Sequence, residues 1–270
     1  MDSSRRDDSG PESVAALHDL VHPRPVPIGV SNRHMHLTQE HVEALFGTGS
    51  RLTRMRDVSQ KGQFACNEVV TVATAGGVIP KVRIIGPVRT RTQVELAFTD
   101  ARALKIRPPI RDSGNLDESP GCTLVGPAGA VHLESGVIIP MRHVHMSPRD
   151  AEVFGVSDRE TIAVAVPTER GAVFTNVLVR VHETFVLDFH LDTDEANAAM
   201  ASTGDPSYVV DQSRLGMDVD VRMARPSGGK KLMTEAELLG ILQRGEKVRI
   251  PHDILLTPSA RDLARKRNIL

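Results

Sequence analysis

The chain has 270 residues, 40% of them hydrophobic and 25% charged, and its 33 Lys and Arg against 34 Asp and Glu leave a formal net charge of -1. A balanced charge with 7 Phe, 1 Tyr and no Trp excludes a basic, aromatic-lined platform, so no nucleic-acid partner is expected. Two cysteines, Cys66 and Cys122, cannot build a disulfide framework, no apolar run nears the roughly 20 residues that cross a bilayer, and the start MDSSRRDDSGPESV lacks a secretory apolar core; a cytoplasmic protein with no membrane partner is expected.

Residues 1–25 read as an N-terminal extension. Ser9 and Glu12 have capping-box spacing, Val14, Leu17, Leu20 and Val21 share a helical face, and Pro23 and Pro25 stop the helix. From 26 to 212 the pattern is mainly β with short helices (α+β). Val69–Ala73, Val78–Ile85, Thr161–Val166 and Val173–Val181 are rich in Val, Ile and Thr and are bounded by turn signals at Ala75-Gly76-Gly77 and Glu169-Arg170-Gly171. Pro80 predicts an edge strand or one that starts just after it. Residues 213–229, containing Arg225-Pro-Ser-Gly-Gly229, read as a linker. Residues 230–270 read as a helical appendix, with a capping box at Thr234 and Glu237 and an N-cap and first-turn proline at Thr257-Pro258.

An internal repeat carries the chemistry. Arg33-His34-Met35-His36-Leu37-Thr38 returns as Arg142-His143-Val144-His145-Met146-Ser147, and each copy runs on to Phe-Gly, at Phe46-Gly47 and Phe154-Gly155. Thr38 and Ser147 are good N-caps, so each copy predicts a strand bearing His-X-His and then a short helix closed at the glycine. Side chains two apart on a strand share a face, so both imidazoles can converge on one ion. The repeat predicts two similar β-barrel halves, 26–135 and 136–212, each offering a His pair. In Gly86-Pro-Val-Arg-Thr-Arg-Thr-Gln-Val-Glu95, the residues Arg89, Arg91, Gln93 and Glu95 would share a face of an extended stretch, which suits anion binding beside a ligand or an exposed edge. His190 ends a strand before a helix capped at Asp192 or Thr193; by itself it reads as a packed or solvated histidine.

Asn32-Arg-His-Met-His-Leu37, Gly62-Gln-Phe-Ala65, the 86–95 segment, Leu124-Val-Gly-Pro127, Arg142-His-Val-His-Met146 and His190-Leu-Asp-Thr-Asp-Glu-Ala-Asn197 together resemble the PduL-type phosphate propanoyltransferases, phosphotransacylases of bacterial microcompartments. The resemblance covers about 26–212. It implies two β-barrel domains around two divalent metal ions, usually zinc, and interconversion of acyl-CoA plus phosphate with acyl phosphate plus CoA. By position it implies His34, His36 and Glu95 as ligands of one metal and His143, His145 and His190 of the other. It further implies Arg89 on phosphate, Gln63 and Gln93 near CoA, a homodimer, and recruitment by shell proteins inside a microcompartment through residues 9–22 or 230–270. A binuclear hydrolase and a non-catalytic microcompartment component are the alternatives, since the same ligands could activate water or hold structural metal. Cys66 and Cys122 carry no signal of activation and are expected to be buried and structural.

Overall fold

The structure, a computed structural model, describes residues 20–211, 232–233, 239, 242 and 255–267. The chain divides into two compact units, Met1–Val219 and Asp220–Leu270. In the first unit, β1 (Val26–Ser31), β11 (His143–Met146), β12 (Thr161–Val166), β13 (Ala172–Val181), β14 (Asp188–Asp192) and β15 (Pro206–Val209) close into a barrel in the order β1-β14-β11-β13-β12-β15. A second sheet of nine strands holds β2 (His34–His36), β3 (Arg54–Asp57), β4 (Phe64–Thr74), β5 (Gly77–Gly86), β6 (Gln93–Glu95), β7 (Ile110–Arg111), β8 (Cys122–Val125), β9 (Ala130–Leu133) and β10 (Val137–Pro140). Its order is β7-β10-β6-β2-β5-β4-β8-β9, with β3 on β4. Between the strands lie α1 (Gln39–Phe46), α2 (Phe98–Ala103), α3 (Pro148–Phe154) and α4 (Thr193–Ala199).

Two similar closed barrels were expected; one sheet closes and the other stays open. β15 pairs with both β12 and β1 and so completes the barrel. In the larger sheet no described strand bridges β7 and β9, and α1 packs against β9, with the Ala128 N–H donating to the Leu45 carbonyl at 3.0 Å. The sheets also exchange strands across the expected division at 135. β1 precedes the first His pair yet belongs to the barrel, alongside β14, whereas β10 precedes the second His pair yet lies beside β6 in the open sheet.

Local chemistry explains most elements. The Thr38 hydroxyl accepts the His41 N–H at the start of α1, and the Ser147 hydroxyl accepts the Asp150 N–H at the start of α3. Gly155 closes α3 with φ 65, a left-handed turn that costs glycine nothing. Pro80 lies inside β5, not at its start. There β5 pairs with β4 across a register shift, Lys81 takes φ 57, and β2 joins only further on, at Arg83 and Ile84, so no ladder bond is asked of the proline.

Alternation splits each ligand strand. Met35 of β2 enters a core with Leu37, Leu45, Val82, Ile84 and Leu124, while Val144 and Met146 of β11 enter the barrel core with Ile28, Val164 and Phe189. Residues 1–19 of the expected N-terminal helix lie outside the described residues, and Val21, placed on that helix, instead bridges Val210 antiparallel to it. The linker at 213–229 and the Thr234 and Glu237 capping box also lie outside them. In the second unit β16 (Leu232–Met233) pairs parallel with β17 (Leu255–Leu256), and α5 (Pro258–Lys266) begins at the Thr257 cap with Pro258 in its first turn.

Phe189 is fully buried between the neighbours Asp188 and His190. Phe189→Ala should lower unfolding free energy by about 3–5 kcal/mol, read from urea unfolding monitored by circular dichroism.

Candidate metal centre

Two triads that could hold a metal ion form where the exchanged strands turn into the His pairs. In the open sheet β2 runs antiparallel to β6, which sets His34 opposite Glu95. In the barrel β11 runs antiparallel to β14, which sets His143 opposite His190. His34 Nε2 lies 3.5 Å and His36 Nε2 3.8 Å from the Glu95 carboxylate oxygens, and in each triad the donor atoms lie within 4.8 Å of one another. Both triads line one cavity of about 720 Å³, together with Arg56, Arg83, Arg89 and Arg180.

Hydrogen bonds fix which ring nitrogens are free. The Nδ1 of His34 reaches the Asn32 carbonyl at 2.8 Å, that of His36 the Ile85 carbonyl at 2.9 Å, and that of His143 the Met141 carbonyl at 2.8 Å. A carbonyl only accepts, so each Nδ1 carries the proton and each Nε2 keeps its lone pair. His190 Nε2 meets the Asp188 carboxylate at 2.8 Å, which also only accepts and so leaves Nδ1 as the base. His145 Nδ1 is buried without a hydrogen-bond partner among the described residues.

Electrostatics keeps His36, His143 and His145 neutral. Burial, followed by the neighbouring His34 and Arg89, lowers His36 to about 3; burial and His190 lower His143 to about 4; burial lowers His145 further. Burial pushes the Glu95 carboxyl up, but His34, His36, Arg89 and His143 outweigh it and hold the group ionised, below the usual carboxylate range. Neutral imidazoles with a carboxylate beside an unpartnered buried ring nitrogen are a donor set that fits divalent transition metal.

Residues 27–202 match the family described as phosphate propanoyltransferase. The chain belongs to the phosphate propanoyltransferase family. Among its relatives, the phosphate propanoyltransferase of Thermotoga maritima is 49% identical over 200 residues, covering 73% of this chain and 95% of that one. That of Lachnoclostridium phytofermentans is 51% identical over 180 residues, covering 66% and 84%, and that of Salmonella typhimurium 44% over 190 residues, covering 70% and 90%. Membership in the phosphate propanoyltransferase family makes the chain an acyltransferase.

The remaining residues that the resemblance singled out divide. Arg89 does not extend β6; it sits in the preceding loop, partly buried and turned to the cavity, with its Nη1 3.3 Å from Ser113 Oγ. Arg91 points outward and lies 3.7 Å from Asp117, so the expected shared face holds only for Gln93 and Glu95. Gln63 lines the cavity. Gln93 is buried and its amide is in use: Nε2 donates to Glu95 at 2.5 Å and to Ser113 at 2.8 Å, and Oε1 accepts from the Gly114 N–H. Those bonds orient Glu95. Sequence reading missed Asp188 and Ser113. Asp188 was findable, because it stands two before His190 on the same strand face; Ser113 arrives on a loop with no signal.

Among the described residues no helix is long and apolar enough to cross a membrane. In the metal-free chain, His36 and His143 titrate below the ordinary 6.5, so between about pH 6.5 and 4 the unfolded state binds protons that the folded state does not. Stability after chelation should therefore fall as pH drops through that window, seen as a declining urea midpoint, and Zn2+ added at pH 7, above the window, should raise the midpoint by binding the folded chain.

Proposed function

We propose that the chain interconverts a short-chain acyl-CoA, propanoyl-CoA or acetyl-CoA, plus phosphate with acyl phosphate plus CoA, by direct attack of phosphate on the thioester. The observation that carries this reading is Arg89, a cavity guanidinium set beside the Glu95 triad. Among the described residues its side chain makes a single hydrogen bond, to Ser113, which leaves donors for a dianion. His34, His36 and Glu95 would hold one divalent ion and His143, His145 and His190 the other, with zinc favoured by the imidazole-rich set. When bound, such ions supply Lewis acidity and positive charge, and three protein ligands each leave a position for substrate.

Arg89 binds and orients phosphate so that one oxygen faces the thioester carbon. The new carbon–oxygen bond forms as the carbon–sulfur bond breaks, and the proton of hydrogen phosphate leaves with the CoA thiol. Arg56, Arg83 and Arg180 add positive charge around the two anionic substrates. No cysteine joins in. Burial pushes the Cys66 thiol up to about 11 and the Cys122 thiol up to about 12, so both stay protonated and poor as nucleophiles.

The same reading takes the halves as copies of one ancestral unit. It is supported by matched pairings, β2 antiparallel to β6 and parallel to β5, β11 antiparallel to β14 and parallel to β13. Homodimer assembly and recruitment to a microcompartment shell through residues 9–22 or 230–270 belong to this proposal through the family resemblance.

CoA release from acetyl-CoA and propanoyl-CoA by the metal-loaded chain, with and without phosphate, tests it. Release should require phosphate, and Arg89→Ala should lower kcat/KM by about 10²–10³-fold, as the loss of a positioned charge donor does. Phosphate-independent release would make the chain a hydrolase.

A further inference from the structure

The arginine that opens each copy of the repeat has no part in the chemistry above, yet its surroundings are duplicated. Arg33 Nη1 lies 2.8 Å from Asp100 Oδ1, and Arg142 Nε lies 2.9 Å from Glu195 Oε1. Asp100 follows Glu95 by five residues, and Glu195 follows His190 by five. Each acid stands at the third position of the helix that follows a third-ligand strand, and each spends its other oxygen on its own N-cap: Asp100 accepts the Ala97 N–H at 3.3 Å and Glu195 the Asp192 N–H at 3.0 Å. The two helices meet as well, with the Thr99 N–H donating to Asp194 at 2.7 Å.

We propose that Arg33 with Asp100, and Arg142 with Glu195, form a duplicated clamp that sets Glu95 and His190, the third ligands, against their His pairs. Each arginine immediately precedes a His pair at the point where the chain passes from one sheet to the other. Backbone there is short and irregular, so the orientation of the pair depends on what holds the corner. The acid is rigid because its helix N-terminus already holds it, so the arginine is referenced to the strand that bears the third ligand. The arginine side chains are 48% and 30% exposed, and ion pairs so placed add little net stability; their effect is on ligand geometry. The clamp rests on the two-metal reading above.

The test uses the full chain, stripped by chelator and titrated with Zn2+ against a chromophoric competitor. His145→Ala leaves the Glu95 triad to be read, and His36→Ala leaves the His190 triad. Arg33→Met should weaken Zn2+ about 10-fold or more in the His145→Ala chain and change it less than about 3-fold in the His36→Ala chain; Arg142→Met should do the reverse. Arg33→Lys should recover part of the loss. If Arg33→Met does not fold, Asp100→Asn, which keeps an acceptor for the Ala97 N–H, carries the same comparison. Equal weakening of both triads would mean general loosening and overturn the clamp. Unchanged Zn2+ affinity with a raised KM for CoA or phosphate would make these cavity-lining arginines substrate ligands and also overturn it. No Zn2+ binding by the unmutated chain would instead remove the two-metal reading on which the clamp stands.

Discussion

The exchange of β1 and β10 between the two sheets is the constraint on which the site depends. Each strand runs in one sheet, turns over two residues, Asn32-Arg33 or Met141-Arg142, and the chain re-enters as a His-bearing strand in the other. The His pairs therefore start at the junction of the sheets, and period-two alternation does the rest. Met35, Val144 and Met146 go to the cores, so His34, His36, His143 and His145 must face the opposite way, into a common cavity.

That placement sets the electrostatics. Six donor residues and six arginines around one cavity could not all be charged, and burial resolves the conflict by discharging His36, His143 and His145. Arg89 cannot discharge, although burial lowers its guanidinium and Arg180 adds to this. Glu95 is its counter-charge. The arrangement leaves neutral nitrogens for cations and a surplus of positive charge for anions, which is what a reaction between phosphate and a CoA thioester asks of a cavity.

Orientation comes from groups that hold the donor side chains by hydrogen bonds. Backbone carbonyls hold three imidazoles by Nδ1, Asp188 holds His190, and Gln93 with Ser113 holds Glu95. Gln60 links the two sides of the cavity mouth, since its amide both donates to the Val186 carbonyl and accepts the Val186 N–H. Such contacts convert a loose collection of donors into fixed triads.

Local chemistry was legible from the amino acids. N-caps at Thr38, Ser147 and Asp192, the strands around Thr161–Val166 and Val173–Val181, and the convergence of each His pair follow from propensity and alternation, which act over a few residues. His190 could not be read from its own surroundings, because it joins a candidate ligand triad only through antiparallel pairing with His143, a contact 47 residues away. The open edge of the larger sheet, the exchange of β1 and β10, the inward turn of Arg89 and the burial of Gln93 were likewise decided by pairing between distant segments. Residue type and spacing determine which side chains can bind a metal; the closure and crossing of the sheets determine which of them meet.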